Sequence, residues 1–376
     1  MPRIDLVVRS EVKRSARLLQ LASMMDLDAL THTEERWTFD VELPATWNVG
    51  LIVGPSGSGK TTVARELFGA GFVECFDWPH DASIIDGFEG TPIKDVSELL
   101  SSVGFSSPPA WLRPYHVLST GQKFRCDVAR SLASMQPGGV VAFDEFTSVV
   151  DRTVARVGSA AVARAVRARG CQFVAVACHY DIIDWLQPDW ILEMPSGTLT
   201  RREVQRRPTI ELEVSRVSRD AWDIFRAHHY LDTSLHVAAH CFVATWNGRP
   251  VAFASSIHFP NPRTGEALRR EHRTVCLPDF QGVGIGNRLS AFVASLYRGG
   301  YCSTTSHPAM IRHRAKSPLW SMVRAPARAR SLAASNTATN RRMNSGINRL
   351  SASFTYRGKI ASNADIEALS IRGGLR

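Results

Sequence analysis

Apolar residues in this chain fall into short runs bounded by turn formers. Leu51-Ile52-Val53, Val140-Val141-Ala142-Phe143 and Val174-Ala175-Val176-Ala177-Cys178 are unbroken, the pattern of strands buried on both faces. Val63 to Phe68, and the stretch after Gln122, read as helices. Residues 1–36 open with a strand-like segment and continue as a charged helical stretch from Glu11 to Met25, an edge or docking element. In the second half, Ile210 to Val214 alternates as a strand does, and Ala221 to Leu231 reads as a helix. His240–Trp246 and Pro250–Ser256 read as strands, and Asn247-Gly248 between them predicts a hairpin. Arg273–Leu277 is another strand, then a helix runs through Tyr297, and Tyr301–Thr305 is a further strand. Pro195-Ser196-Gly197 predicts a turn, and residues 201–208 a linker. Residues 325–350, rich in Ala, Arg, Ser and Asn, read as a basic loop, either strand-wrapping or merely solvated.

With 376 residues there is core enough for two domains. No run approaches the ~18 apolar residues of a membrane span, so no membrane association is expected. The N-terminus lacks an apolar signal region. Seven cysteines are scattered without a C-x-x-C pair, which fits reduced thiols in a cytoplasmic protein. The net charge of +10 is unevenly placed: residues 1–205 carry 20 basic and 25 acidic side chains, a balance of −5, leaving +15 on residues 206–376. A basic half suggests a polyanionic partner, DNA or RNA. Arginine far outnumbers lysine, so a GC-rich genome is an alternative source of that charge.

The segment Gly54-Pro55-Ser56-Gly57-Ser58-Gly59-Lys60-Thr61-Thr62 lies between a predicted strand and a predicted helix and fits G-x-x-x-x-G-K-[ST]. Glycines at 54, 57 and 59 let backbone N–H groups turn toward a phosphate, and the helix start adds positive potential. Lys60 would reach the β/γ-phosphates, and Thr61 would hold Mg²⁺. Asp144-Glu145 ends an apolar strand, the first acid suited to the metal and the second to orienting or deprotonating water. Leu118-Ser119-Thr120-Gly121-Gln122 precedes a helix, and His179 ends a later strand.

Phosphate loop, L-S-x-G-Q, strand-Asp-Glu and strand-His, in that order, resemble the ATP-binding cassette (ABC) family over roughly residues 35–200. The resemblance implies ATP and Mg²⁺ as cofactors, Lys60, Thr61 and Asp144 on phosphate and metal, Glu145 as catalytic carboxylate and His179 as sensor of the γ-phosphate. It further implies that Ser119 and Gly121 cap the ATP of a second cassette and that Asp151 contacts that cassette, hence a head-to-tail homodimer. Two features depart from the family. No Gln lies between Lys60 and Ser119, where Trp78-Pro79-His80-Asp81 sits near the expected position. The aromatic that would stack on adenine is Trp37 or Trp47, and a core role for either is open.

The second half carries Gln281-Gly282-Val283-Gly284-Ile285-Gly286 between a strand and a helix, a second potential anion cradle. The preceding hairpin is at odds with a dinucleotide fold, which needs a βαβ unit. The loop and strand order resemble the GNAT acyltransferase superfamily over about residues 209–376. The resemblance implies acyl-CoA bound at Gln281, Gly282, Gly284 and Gly286. Candidate bases and acids are His228, His229, Tyr230, His258 and His307, because such catalysis is positioning plus proton transfer. The His-His-Tyr and Thr-Ser-His-Pro segments are also similar to Mom-type phage DNA-modification acyltransferases, which implies a nucleobase amine as acceptor.

The expected fold class is therefore α/β, with an N-terminal element (1–36), a P-loop ABC-type ATPase domain (37–205) and an α+β GNAT-like domain (206–376). The expected function is an ATP-dependent acyltransferase acting on a nucleic-acid base. A nucleic-acid-binding ATPase whose second domain only binds or senses is the alternative. Against a transporter ATPase subunit stand the missing loop Gln, the short segment before Ser119 and the fused domain.

Overall fold

The computed structural model describes residues 3–25, 32–135, 138–201, 208–229, 231, 233–260, 267–328, 350–362 and 371–372. The chain forms two compact units, neither contiguous in sequence. The first comprises Met1–Phe76, Ser134–Val149 and Val166–Arg207; the second comprises Asp77–Ala133, Val150–Ala165 and Pro208–Arg376. The segment 77–133, which the sequence reading left inside the ATPase domain, thus groups with the C-terminal half.

In the first unit, β1 (Arg3–Glu11) and β2 (His32–Asp40) pair antiparallel, with α1 (Ala16–Met25) between them in sequence. The main sheet holds β3 (Val49–Val53), β4 (Phe72–Val73), β5 (Val140–Phe143), β6 (Gln172–Ala177), β7 (Trp190–Glu193) and β8 (Thr198–Arg201). Its order is β4-β5-β6-β3-β7-β8, and all neighbours are parallel except β7 and β8. Every residue of β3 is buried, as the unbroken apolar run predicts. Helix α2 (Lys60–Phe68) buries Val63 and Ala64 against this sheet. Burial contributes ~1.5–3 kcal/mol for Val63 and less for Ala64, which has a single methyl. Val53 pairs with Ala177 and Phe143 with Ala175, so β3, β5 and β6 end at one sheet edge. Ligands of open parallel sheets bind outside that carboxyl edge.

The second unit joins α3 (Ile93–Ser102), α4 (Pro108–Trp111), α5 (Thr120–Ala133) and the Arg152–Ala165 part of α6 (Arg152–Arg169) to a large sheet. Between β6 and β7, in the first unit, lies the short α7 (Ile183–Leu186). The sheet's strands are β9 (Glu213–Val217), β10 (His240–Trp246), β11 (Arg249–Pro260), β12 (Ala267–Cys276), β13 (Tyr301–Thr305), β14 (Trp320–Arg328), β15 (Leu350–Tyr356) and β16 (Ile371–Arg372). Their order is β14-β15-β13-β12-β11-β10-β9-β16. Helix α8 (Ile285–Ser295) follows β12, and α9 (Pro308–Lys316) follows β13.

The parallel pair β12 and β13 touches over two residue pairs, Arg269↔Tyr301 and Arg270↔Cys302. A buried polar cluster stands immediately beyond. Glu271 takes both guanidinium nitrogens of Arg314 at 2.8 and 3.0 Å, and it also accepts from Ser290 (2.6 Å) and Ser303. The cluster ties β12, β13, α8 and α9 together. Burial would push the Glu271 carboxyl up; the Arg314 charge and these hydrogen bonds overcome it and hold the pKa at about 2.

Several elements differ from the sequence reading. Glu11 ends a strand, and the helix begins at Ala16. The predicted helix Ala221–Leu231 is two 3₁₀ turns, Arg219–Ile224 and Arg226–His228, after which His229 is extended. Buried Trp222 and Phe225 lie three apart, a spacing that suits 3.0 residues per turn as well as 3.6. The strand expected at Ile210–Val214 runs from Glu213 to Val217, and that expected at Arg273–Leu277 begins at Ala267. Tyr230, most of the linker (202–207) and most of the basic stretch (329–349) lie outside the described residues.

Candidate functional site

The phosphate loop leaves β3 at the sheet's carboxyl edge and enters α2. Gly57 and Gly59 have φ of +78° and +85°, the region only glycine occupies at no steric cost. Gly59 is fixed a second way. A Cβ there would lie 2.3 Å from the indole of Trp37, which is itself 8% exposed. Trp37 also lines a cavity of about 390 Å³ with Glu35, Arg36 and Pro55–Ser58. Its ring thus supports the loop at Gly59. Trp47 packs edge-on against Trp190 at 5.3 Å, in the core.

Lys60 donates to the Pro55 carbonyl at 2.7 Å, which curls its ammonium over the loop. Thr61 donates its hydroxyl to Asp144 Oδ2 at 2.9 Å, and Asp144 Oδ1 accepts the Glu145 N–H at 2.9 Å. Burial pushes the Asp144 carboxyl up; the Glu145 N–H and the Thr61 hydroxyl oppose it, while the Glu145 and Glu74 charges reinforce it. A hydroxyl and a carboxylate at one point are hard oxygen donors, and they fit Mg²⁺. Among the described residues, the buried Ser58 hydroxyl has no hydrogen-bond partner. These residues therefore fit a magnesium nucleotide, with Lys60 and the loop amides on phosphate and Thr61 and Asp144 on the metal. The metal would supply charge neutralisation at the phosphates.

Glu145 is exposed and has φ of +48°, a left-handed conformation that costs ~1–3 kcal/mol for such a residue. It follows Asp144, the first residue after β5, while half-buried His179 follows Cys178 at the end of β6. Loop, Thr61, Asp144, Glu145 and His179 therefore all belong to the first unit and to one edge of its sheet. Ser56 is exposed on the loop, and Thr62 and Gly54 flank it.

Ser119, Gly121 and Asp151 belong to the second unit. Ser119 caps α5: its hydroxyl accepts the Gln122 N–H at 3.4 Å, and Gln122 Oε1 accepts the Ser119 N–H at 3.1 Å. Asp151 caps α6 by accepting the Thr153 N–H at 2.8 Å, and that bond lowers its carboxyl pKa.

The Gly-rich loop after β12 divides into two parts. Gln281 Oε1 accepts the Ser106 N–H at 2.9 Å, and Gln281 Nε2 donates to the Cys276 carbonyl at 2.9 Å. Gly282, at φ +92°, has no room for a Cβ, which would lie 2.6 Å from Gly104 Cα and 2.9 Å from Ala161 Cβ. Gln281 and Gly282 thus hold the segment around 104–106 and helix α6. Sequence reasoning missed this packing, because nothing in the motif announces partners more than a hundred residues away. Arg125 on α5 strengthens the joint by donating to the Asp279 carbonyl at 3.4 Å. Its burial lowers the guanidinium pKa to about 10, against the opposing charge of Asp279.

Gly284, at φ +90°, caps the start of α8, and nothing would meet a Cβ there. With Gly286 it lines a cavity of about 370 Å³. His228, His229 and His307 line the same cavity; His258 does not. His307 Nε2 is 3.0 Å from the Ser106 carbonyl, and burial lowers its pKa, with that bond opposing.

No protein-family model matches the chain. No curated protein matches it. Solved structures that it resembles include ATP-binding cassettes. A bacterial Atm1-family ABC exporter with ATP bound is 22% identical over 43% of this chain, with a TM-score of 0.35, and the match spans only about a third (34%) of the exporter's chain. The dimeric bacterial ABC transporter cassette MJ0796 is 17% identical over 45% of this chain and 91% of its own, with a TM-score of 0.36. CbiO1 from Clostridium perfringens, part of an ABC transporter complex, is 20% identical over 45% and 81%, with a TM-score of 0.35. Among the described residues, no helix is long and apolar enough to cross a membrane.

Proposed function

We propose that this chain is an ABC-type ATPase joined to a GNAT-type acyltransferase domain, and that it modifies a nucleic-acid base. The observation that carries the ATPase half is the convergence of phosphate loop, Thr61–Asp144 pair, Glu145 and His179 at one sheet edge. Lys60 would bind phosphate, Thr61 and Asp144 would bind Mg²⁺, and Glu145 would orient the attacking water. Ser119, Gly121 and Asp151 would complete the site of a second protomer in a head-to-tail dimer. For the transfer half, support comes from the short pairing of β12 with β13 and from the cavity at the Gly284 turn. Acyl-CoA would enter that cavity, with His228, His229 or His307 moving the proton. The +15 balance of residues 206–376 suits a nucleic-acid acceptor. A base must leave its stack to react, and ATP-driven closure could hold it open.

The experiment is mass spectrometry of nucleosides from cells expressing wild type or Gly284→Glu. A new adduct made only by wild type is expected. Its absence from both DNA and RNA would overturn nucleobase transfer. One observation favours a second reading, a nucleic-acid-binding ATPase without transfer: Gln281 and Gly282 are engaged in packing. Under that reading Gly284→Glu would leave function intact.

A further inference from the structure

We infer that Arg164, on helix α6, is a ligand-binding residue of the 370 Å³ cavity, and that this cavity is a composite site for a phosphorylated anion. The proposal rests on the acyltransferase reading of the cavity and adds a cation that its Gly-rich loop does not supply. α6 begins just after Asp151, within the stretch that resembles a cassette, yet Arg164 lines the pocket at the start of α8. Both belong to the second unit.

Three observations point to an anion. The cavity lining contains Arg164 and four histidines but no carboxylate. Arg164 makes no ion pair among the described residues, whereas Arg167, one turn on, pairs with Asp189 at 3.0 Å. The α8 start at Gly284 faces the same space and adds amide N–H groups and positive potential. An arginine left unpaired in a concave wall is suited to a bidentate grip on phosphate. The Arg164 charge also reaches His313, whose pKa is lowered by burial first and then by Arg314 and Arg164. In addition, the side-chain oxygen of Asn287, a residue of this wall, is shielded and accepts no hydrogen bond among the described residues.

The test is calorimetric titration of the full chain with coenzyme A and, separately, with inorganic pyrophosphate. Both are run on Lys60→Ala, which disables the phosphate loop. Binding of both ligands is expected, weakened about tenfold or more by Arg164→Ala and partly restored by Arg164→Lys. Thermal melts check that neither change disturbs folding. If CoA binds equally well to Arg164→Ala, the inference is overturned while the acyl-donor reading stands. Pyrophosphate binding that depends on Arg164, with no CoA binding, sustains the anion site and removes acyl-CoA as its ligand. No binding of either overturns both.

Discussion

Glu145 occupies a strained backbone position at φ +48° beside a metal-ready carboxylate. Its side chain is exposed. Glu145→Gln keeps the shape and removes the charge. ATP turnover should fall ~10²–10⁴-fold with nucleotide affinity retained, measured as phosphate release against equilibrium binding. The Glu271–Arg314 pair makes a different prediction. Its carboxyl is depressed to about 2 from an ordinary 4.5, so its stabilisation is complete above pH 4.5 and is lost as pH falls toward 2. Glu271→Gln leaves a buried guanidinium without its counter-charge and should cost ~3–5 kcal/mol. Urea melts at pH 6 and pH 3 check both: the variant's deficit should be large at pH 6 and shrink at pH 3.

The joint between the Gly-rich loop and the 104–106 segment is a close approach of backbones. Gly282→Ala would force a methyl to within 2.6 Å of Gly104 Cα at a φ that alanine disfavours. Faster amide exchange is expected at Ser106, whose N–H is held by Gln281, with exchange in β3 unchanged. The unbroken runs at β3, β5 and β6 were legible because strands buried on both faces need apolar residues at every position. The Asn247-Gly248 hairpin was legible because its turn requires positive φ at both residues, +49° and +74° here. The Gln281–Ser106 bond was not, because it joins residues 175 apart in sequence. The 3₁₀ turns at Arg219–His228 were misread because an apolar spacing of three serves two helix types.

For the whole molecule, the two units are interleaved along the chain, whereas the motifs and the linker placed a single boundary near residue 205. Charge asymmetry was readable directly from residue counts, although its partner was not. If the C-terminal half binds nucleic acid, affinity should fall steeply between 50 and 200 mM salt, by ~10³–10⁵ for six to ten phosphate contacts. Filter binding across that range measures it. The Glu145→Gln variant should accumulate as an ATP-bound dimer in light scattering. A monomer at saturating ATP would count against the head-to-tail arrangement.

Trp37 sits on β2, and its indole fills the space that a side chain at Gly59 would need. From sequence, residues 1–36 look like an appendage that a shorter expression clone could dispense with. Such trimming would remove β1 and the His32–Arg36 part of β2, and loosen the buttress beneath the nucleotide loop. The trimmed protein would then read as a poor ATP binder for reasons unrelated to its phosphate-contacting residues.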